Sequence, residues 1–340
     1  MSLPPSEIPL GAMRFNSDSQ KLEYWNGSAW FQIHTFSPNL DGGTRGFFAG
    51  GYNPAASDRI DFITIPTAGN ATDFGNLTKG RTETSGFSNA TRALAAGDSV
   101  PGSDDTIDVW TMSSTGDAVD FGNLLSSTNN AQSLGALANA TRGIFGGGYQ
   151  AGTGQLNILQ FVTINSNGNA IDFGDLEGNS GQFSSTTGGS SPTRGLWFAG
   201  GPSGNGNTNI QYINIATTGN GQDFGEMLKY DAAGTTGSNA VRIVYFNGGN
   251  QENTIEFVTT ATFGNTTNFG DMTLGNRYGA TSNSSSTRAC VGGGGYPGSM
   301  QVIDYVQIMS QGNSVDFGDL SESRFYLVRG CISNGHGGLG

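Results

Sequence analysis

Few side chains in this sequence can carry catalytic chemistry, and histidine is among the scarcest of them. The chain of 340 residues contains two histidines, His34 and His336, and two cysteines, Cys290 and Cys331. Nucleophilic triads and most zinc or copper sites depend on histidine. The composition therefore argues against those enzyme classes, and we predict neither a metal nor a cofactor.

The scarcity of histidine does not exclude a glycosidase, because a glycosidase needs only two carboxylates. The prominent acids of this chain stand in a repeated Asp-Phe-Gly motif, at Asp73, Asp120, Asp172, Asp223 and Asp316, with Asn268 in the remaining copy. A residue that recurs once per repeat indicates a structural role, since catalysis requires one site. We therefore predict that these aspartates are structural and that the protein is not an enzyme.

A second motif is an arginine that opens an apolar string ending in glycines, as in TRGFFAGGY and TRGIFGGGY. The arginines follow one another at intervals of 41 to 52 residues. They are Arg45, Arg92, Arg142, Arg194, Arg242, Arg288 and Arg329. Seven of the twelve arginines occupy this position, which is too large a share for a solvated face. We predict that each pairs with an Asp-Phe-Gly aspartate of its own or a neighbouring repeat.

The segments that carry these motifs are predicted to be β-strands. Strings such as DRIDFITIP and IEFVTTAT are rich in β-branched and aromatic residues and lack a period of 3.6. In each repeat we predict an inner strand from the arginine to the glycines, a second strand, a tight Gly-Asn turn and a third strand through Asp-Phe-Gly. A fourth, weaker strand precedes the next arginine. The paired glycines are expected near the axis, where backbones converge.

A period of about 50 residues is typical of β-propeller blades. We predict an all-β propeller over residues 44–340, with repeats at about 44–91, 92–140, 141–192, 193–240, 241–286 and 287–327 and a partial one at 328–340. Residues 1–43 form an N-terminal segment in which Asn26-Gly27 is expected to make a two-residue hairpin turn. We predict seven blades, the last built from both termini, because this pairing covers exposed strand edges. Six blades with a separate N-terminal hairpin is the alternative.

Two resemblances add to this interpretation. The double glycine after an apolar string resembles kelch repeats, and at the level of pattern the similarity covers residues 44 to 340. Residues 11 to 33, GAMRFNSDSQKLEYWNGSAWFQI, resemble a short module of tailed-bacteriophage virion proteins, particularly tail fibres and related appendages. The second resemblance implies that the protein belongs to a phage particle.

Charge and hydropathy narrow the range of partners. The formal net charge of −12 disfavours binding to phosphate backbones, so we do not expect a nucleic-acid partner. The N-terminus lacks a basic region followed by an apolar run, and nothing approaches the length of a membrane-spanning helix. We expect synthesis in the host cytoplasm without a signal peptide, no membrane insertion, and a final location in the virion.

Candidate binding residues lie outside the repeated motifs. The longer connections, which emerge on one face, are more variable than the Gly-Asn turns on the opposite face. Tyr52, Tyr149 and Tyr296 directly follow the glycines and could stack on sugars or on a protein partner. Trp25 and Trp30 are the corresponding candidates in the N-terminal segment.

The predicted function is that of a non-enzymatic phage virion protein of tail-fibre or appendage type. Such a propeller recognises the host surface, through a glycan or a protein, or docks one virion protein onto another as a homo-oligomer in a symmetric assembly. The alternatives are a carbohydrate-active enzyme that degrades host polysaccharide and an intracellular kelch-like interaction scaffold.

Overall fold

The computed structural model describes residues 8–16, 21–32, 44–100, 105–128, 130–178, 185–198, 208–229, 233–249, 252–295 and 298–339. These residues are all-β, as predicted, with eight small antiparallel sheets and no α-helix in the described ranges. Two single-turn 3₁₀ helices span Ser126–Thr128 and Gly337–Leu339. The chain divides into two compact units, residues 1–42 and 43–340.

The N-terminal unit contains one sheet of three antiparallel strands, β1 (Met13–Asn16), β2 (Lys21–Trp25) and β3 (Trp30–Gln32). The β2–β3 turn differs from the predicted Asn26-Gly27 turn. Asn26 pairs with Ala29 through a backbone hydrogen bond of 3.2 Å, and its side chain accepts the backbone N–H of Ser28 and Ala29. The turn is therefore centred on Gly27-Ser28, and Asn26 acts as its cap.

Six further sheets follow the repeats. The sheet of the first repeat contains β4 (Arg45–Ala49), β5 (Ser57–Thr64) and β6 (Thr72–Arg81). The second contains β7 (Ser85–Ser88), β8 (Arg92–Ala96), β9 (Thr106–Thr111) and β10 (Val119–Asn123). An additional small sheet near the third repeat contains β11 (Ala131–Gln132), β14 (Tyr149–Gln150) and β15 (Gly154–Gln155).

The remaining four sheets have the same order as the second. The third contains β12 (Gly135–Ala138), β13 (Arg142–Gly146), β16 (Ile158–Thr163) and β17 (Ile171–Asp175). The fourth contains β18 (Thr187–Ser190), β19 (Arg194–Phe198), β20 (Asn209–Asn214) and β21 (Gln222–Glu226). The fifth contains β22 (Thr235–Ser238), β23 (Arg242–Phe246), β24 (Thr254–Thr259) and β25 (Thr267–Asp271). The sixth contains β26 (Thr281–Ser284), β27 (Arg288–Gly292), β28 (Val302–Gln307) and β29 (Val315–Asp319).

The strand order corrects one prediction. The strand that opens with the repeated arginine is second in each four-stranded sheet, and the short strand before it belongs to the same sheet. These short first strands, β7, β12, β18, β22 and β26, contact one another from sheet to sheet. The prediction that the arginine strand is the innermost was wrong, because the short strand before it lies at the edge of the sheet where neighbouring sheets meet.

The hydrophobic core lies between neighbouring sheets. Phe47 and Phe74 of the first sheet pack with Trp110 of the second, and Phe48 packs with Phe317 of the sixth sheet. Because the arginine strands are covered on both faces, they appear in the sequence as continuous apolar strings. Both cysteines are buried and free, as expected of small core residues.

The C-terminal segment contacts β4 of the first sheet. The backbone N–H of Phe47 on β4 donates to the carbonyl of Ile332, and Gly46 forms an antiparallel bridge with Ser333. These two contacts therefore place Ile332 and Ser333 beside β4 of the first repeat. Farther along, Gly337–Leu339 lies against β18 and β22.

Three sets of hydrogen bonds join each sheet to the next. In the first set, the turn glycine donates its N–H to the carbonyl of the preceding Asp-Phe-Gly phenylalanine at 2.8 to 3.0 Å. The pairs are Gly116–Phe74, Gly168–Phe121, Gly219–Phe173, Gly264–Phe224, Gly312–Phe269 and Gly69–Phe317. The last pair joins the sixth sheet to the first. A Cβ on Gly75 would lie 2.3 Å from the carbonyl oxygen of Gly116, so the motif requires glycine there.

The repeated arginines make the second set of contacts. Six of the seven, all except Arg329, donate from Nη1 to a backbone carbonyl at the end of the third strand of the next sheet, at 2.7 to 3.2 Å. The pairs are Arg45–Met112, Arg92–Ile164, Arg142–Ile215, Arg194–Thr260, Arg242–Ile308 and Arg288–Ile65. The guanidinium groups also stack on aromatic rings, as Arg142 does on Phe161 at 4.3 Å.

The predicted pairing of these arginines with the Asp-Phe-Gly aspartates was therefore wrong. All five aspartates, Asp73, Asp120, Asp172, Asp223 and Asp316, are exposed. Asp120 accepts the N–H of Gly122 within its own turn, whereas the arginine cations lie against carbonyls and rings. A carbonyl at the end of a strand has a free acceptor lone pair, and this explains why the arginine needs no acidic partner.

The third set uses a buried polar residue in the middle of each third strand. These residues are Asp61, Asp108, Gln160, Gln211, Glu256 and Asp304. Each accepts a hydrogen bond from the end of the last strand of the preceding sheet or from the linker after it, as Asp108 does from the N–H of Thr78 and Asp61 does from the hydroxyl of Ser321. The sequence analysis missed this position, although one polar residue interrupts the apolar string of every third strand.

Candidate ligand-binding site on the long-loop face

The connections between second and third strands and the linkers between sheets emerge on one side of the repeats. We call this side the long-loop face. Both kinds of connection emerge on this side because the strands are antiparallel, so that the second and the fourth strand of each sheet end there. Several predicted loop residues, including 101–104, 179–184 and 201–207, lie outside the described part of the chain.

A pocket of about 360 Å³ opens on the long-loop face between the first and second repeats. Its volume falls within the range of small-molecule sites, about 300–1,000 Å³. The pocket is lined by Tyr52, Ala56, Thr82, Ser99, Val100, Phe325 and Tyr326. Aromatic and aliphatic side chains form most of its walls, and the hydroxyl groups supply polar contacts.

Tyr52 is fixed in this pocket by a short two-way backbone bridge. Its N–H donates to the carbonyl of Phe325 at 2.7 Å, and the N–H of Phe325 donates back at 3.4 Å. The two rings meet edge to face with centroids 5.5 Å apart. Although the backbone is paired, 40% of Tyr52 remains exposed, so its ring is available to a ligand.

The aromatic surface continues beyond Tyr52. Phe325 and Tyr326 have ring centroids 4.7 Å apart, and Tyr326 meets Tyr278 at 5.5 Å. Four rings therefore form a connected series, with Tyr278 from the linker before the sixth sheet, Phe325 and Tyr326 from the linker after it, and Tyr52 from the first repeat. Such edge and tilted contacts stabilise one another and hold the rings in place.

The paired glycines before Tyr52 explain how the chain reaches this position. Gly50 and Gly51 both have positive φ, 61° and 106°. A Cβ on Gly50 would lie 2.9 Å from the carbonyl oxygen of Arg81, and one on Gly51 would lie 3.0 Å from that of Phe325. The glycines therefore let the chain turn between two linkers, and they do not serve the predicted close approach at the axis.

Two buried ion pairs anchor the linkers that flank the pocket. Arg324 donates to Asp61 at 2.5 Å and to the carbonyl of Gly50 at 2.7 Å. On the other side, Arg81 and Asp108 are 3.0 Å apart. All four side chains have no exposed surface. Burial lowers the pKa of the Arg324 guanidinium, and the negative charge of Asp61 opposes this shift.

Hydrogen bonds order the polar side of the pocket. The hydroxyls of Thr82 and Ser99 are 2.5 Å apart. Asp98 is buried and accepts the N–H groups of Thr82 and Val100. The carboxylate therefore holds the pocket wall and is not part of the lining, so the pocket presents hydroxyl groups and rings to a ligand.

The structure separates the other predicted binding residues from Tyr52. Tyr149 lies on β14, pairs with Gln132 and Gln155, and is 36% exposed, but it does not line this pocket. Tyr296 lies outside the described residues. In the N-terminal unit, Trp25 and Trp30 form a cross-strand pair with centroids 5.5 Å apart, and only 7% of Trp25 is exposed.

The histidines do not form a reactive site in the described part of the chain. His34 lies outside it, and His336 is buried in the C-terminal segment. The Nε2 atom of His336 is 2.7 Å from the carbonyl of Ser88, and Nδ1 accepts the N–H of Gly338. Among the described residues, no group of three His, Cys, Asp or Glu side chains is placed to hold a metal ion.

Comparison with known proteins does not identify a relative. No protein-family model matches the sequence, and the curated proteins contain no significant match. Within the described residues, none of the helices has the length and apolarity needed to cross a bilayer.

Tyr52 was a predicted binding candidate, whereas Phe325 and Tyr326, which line the same pocket, were not predicted. These two rings lie in the linker after the sixth repeat, outside both motifs, and contact Tyr52 because the sixth sheet adjoins the first. The sequence does contain a pattern that could have predicted the buried ion pairs beside this pocket. Arg81 at the end of β6, and Arg277 and Arg324 in linkers, occur only where the following third strand carries aspartate. The aspartates are Asp108, Asp304 and Asp61, respectively.

Proposed function

We propose that the six repeats form a closed six-bladed β-propeller. The three sets of hydrogen bonds between sheets support this, since each set also joins the sixth sheet to the first. The C-terminal segment supplies the innermost strand of the first blade through its contacts with β4. In this arrangement the N-terminal sheet is the separate hairpin unit of the six-blade alternative, and no seventh blade is needed.

The propeller is a non-catalytic recognition protein of a tailed-bacteriophage particle. The virion assignment rests on the similarity of residues 11 to 33 to a module of phage virion proteins. The hairpin with Trp25 and Trp30 belongs to a compact unit of its own, which suits an attachment segment. The propeller is then the part that meets the host surface.

The ligand is a surface saccharide that binds in the Tyr52 pocket. The single observation that carries this proposal is an exposed tyrosine ring in a pocket that also offers hydroxyl groups. Aromatic rings stack on the apolar faces of sugars, and hydroxyls bond to their polar edges. Among the described residues, the lining contains no carboxylate, and this supports binding without hydrolysis.

Pocket size favours a saccharide over docking of another virion protein. A stable protein interface covers roughly 800 Å² on each partner and is centred on a broad patch. The Tyr52 pocket has a volume of about 360 Å³ and accommodates one or two sugar residues. Docking surfaces therefore lie elsewhere, and the N-terminal unit is the first place to look for one.

A panel of immobilised bacterial envelope polysaccharides tests the recognition proposal. The wild-type protein is expected to bind at least one polysaccharide, and Tyr52→Ala is expected to lose that binding. Tyr149→Ala is the matched control, because Tyr149 is similarly exposed but lies outside the pocket. Equal binding by wild type and Tyr52→Ala, or no binding to any polysaccharide, contradicts the proposal.

The virion assignment needs a separate test. Mass spectrometry of purified phage particles that encode this chain should detect it at a fixed ratio to the other structural proteins. Its absence from particles would remove the phage assignment without affecting the saccharide proposal, because the two rest on different parts of the chain.

A further inference from the structure

A second pocket lies on the side of the repeats opposite the long-loop face, at the turn that joins β20 and β21 of the fourth sheet. Its volume is about 350 Å³, close to that of the Tyr52 pocket. We call it the turn pocket, and the side chains that line it are those of Tyr212, Asn214, Thr217, Thr218, Asn220 and Gln222. Among the described residues, this lining has no acid and no base, so the pocket suits a neutral polar ligand.

Tyr212 and Gln222 form a pair within the turn pocket. They face each other across β20 and β21, and the hydroxyl of Tyr212 donates to the amide oxygen of Gln222. Because this hydroxyl occupies the amide oxygen, the amide nitrogen of Gln222 is the group that can donate to a ligand. The pair therefore offers an aromatic ring and a hydrogen-bond donor side by side.

The two asparagines of the lining are oriented in the same way. Asn214 accepts the N–H of Ala216 at 3.1 Å, and Asn220 accepts the N–H of Asp175, on the third sheet, at 3.1 Å. Both bonds use the amide oxygen, so the amide nitrogens are the groups that can donate to a ligand. Three amide donors and two threonine hydroxyls therefore line one pocket, and they match a ligand that is rich in acceptor oxygens.

The ring of Tyr212 is held in place by two neighbours. Phe263, from the corresponding turn of the fifth sheet, meets Tyr212 with ring centroids 5.0 Å apart, and the guanidinium of Arg194 lies 5.0 Å from the centroid of the Tyr212 ring. Phe263 is 59% exposed, so it extends the apolar surface beside the pocket. A fixed ring beside several donors fits a sugar, which has apolar C–H faces and hydroxyl edges.

The pairing of an aromatic ring with an amide occurs in only one of the six repeats. In the other five sheets the same register positions hold Phe62–Thr72, Val109–Val119, Phe161–Ile171, Phe257–Thr267 and Tyr305–Val315. The second repeat has a smaller pocket at the same place, of about 240 Å³, in which valines replace the ring and the amide. The architecture does not require the Tyr212–Gln222 pair, since five sheets form without it, and the pair therefore indicates a local function.

We propose that the turn pocket is a second carbohydrate site, which binds one neutral sugar residue. The sugar stacks on Tyr212, and its oxygens accept hydrogen bonds from the amide groups of Asn214, Asn220 and Gln222. Because one sugar residue makes few contacts, we expect a Kd of about 1–10 mM, which is too weak to retain a polysaccharide without the Tyr52 pocket. The site does not depend on the Tyr52 proposal, because it lies on the opposite side of the repeats.

Saturation-transfer NMR tests the turn pocket in the Tyr52→Ala protein, in which the first pocket is disabled. The probes are the methyl glycosides of glucose, galactose, mannose and N-acetylglucosamine at millimolar concentrations, and at least one is expected to bind. Adding Gln222→Val, which reproduces the Tyr305–Val315 pair of the sixth repeat, should weaken binding about tenfold, because a donor is lost. Adding Tyr212→Phe, which keeps the ring but releases Gln222, should weaken binding about threefold.

Tyr305→Phe is the matched control for Tyr212→Phe, because it makes the same change in the sixth repeat, where the pair contains no amide. It should leave binding unchanged, and melting temperatures show that each variant is folded. The proposal is overturned if no probe binds the Tyr52→Ala protein, or if binding is equal with and without Gln222→Val. Neither result bears on the Tyr52 pocket, because all of these proteins lack the Tyr52 ring.

Discussion

At the scale of single residues, the repeated arginine acts as a clamp between neighbouring sheets. Arg194 donates to the carbonyl of Thr260 at 2.7 Å and stacks on Tyr212 and Phe263, each at 5.0 Å. Arginine suits this position because one planar group can donate hydrogen bonds at its edge and stack on rings with its faces. The clamp therefore joins polar and aromatic contacts in one side chain.

Arg194→Ala should lower the free energy of unfolding by about 1–3 kcal/mol, because it removes a charged hydrogen bond and a cation–π contact. Asp172→Asn is the control, since this aspartate is exposed and a change there should stay within about 0.5 kcal/mol. Urea unfolding of the three proteins measures both effects. A larger loss for Asp172→Asn than for Arg194→Ala would restore the arginine–aspartate pairing.

His336 gives a pH dependence of known sign. Burial lowers its pKa to about 4, compared with about 6.5 in an unfolded chain. The unfolded state therefore binds the proton more readily between these values. The stability from neutral His336 is present above pH of about 6.5 and is lost as the pH falls towards about 4.

Between pH of about 7 and 4.5, the wild type should lose about 2–3 kcal/mol more stability than His336→Gln. Glutamine does not titrate, and its amide can still donate to the carbonyl of Ser88. Denaturant unfolding of both proteins at the two pH values measures the difference. Identical pH profiles would show that His336 is not buried in its neutral form.

At the scale of elements, much of the strand pattern was predictable. The arginine strands and the Asp-Phe-Gly strands have strong β-formers and a repeated register, and both occur where they were predicted. The innermost strands were not recognised as central, because segments such as Thr187–Ser190 and Thr281–Ser284 are polar and small. Their strand conformation comes from pairing with the arginine strand and from packing against the short first strands of neighbouring sheets. Local strand propensity predicts neither contribution.

Some of the contacts that hold the linkers between sheets could be predicted from the sequence. The three Arg–Asp pairs match arginine in a linker with aspartate in the following strand, and the other third strands carry Gln160, Gln211 and Glu256. Tyr52 became a candidate because it directly follows the glycines. Phe325 and Tyr326 were not candidates, because only the contact between the sixth and first sheets brings them beside Tyr52.

Arg324→Met tests the anchoring of the linker that carries Phe325. The change leaves Asp61 buried without its ion pair, and we expect a loss of about 3–5 kcal/mol in unfolding free energy. Arg59→Met is the matched control, because Arg59 meets Glu322 at 3.7 Å and both are exposed; its effect should be at most about 1 kcal/mol. Equal effects in the calorimeter would contradict the anchoring role.

At the scale of the whole molecule, the C-terminal segment connects all the other repeats. Ser333 contacts Ser88 and Ser284, and the N–H of Gly337 donates to Ser238. Beyond it, Gly338 approaches the third and fourth repeats: a Cβ there would lie 1.9 Å from the carbonyl oxygen of Ala138 and 2.8 Å from Ser190 Oγ. Residues 332–338 can therefore hold the six sheets together, because they contact every one of the repeats.

Gly338→Ala should therefore lower the melting temperature, with an overpacking cost of about 1–3 kcal/mol. Gly298→Ala is the control, since a Cβ at Gly298 meets no atom within 4 Å, and it should be close to neutral. Thermal unfolding of both variants measures the contrast. If Gly338→Ala is as stable as Gly298→Ala, the segment does not pack at the centre.

The central claim is that the Tyr52 pocket recognises a surface saccharide by stacking. The most direct test is titration calorimetry of the best-binding polysaccharide fragment with wild type, Tyr52→Phe and Tyr52→Ala. We predict that Tyr52→Phe, which keeps the ring, binds within about threefold of wild type, and that Tyr52→Ala weakens binding by about tenfold or more, equal to about 1.4 kcal/mol. Unchanged affinity in Tyr52→Ala would contradict the claim.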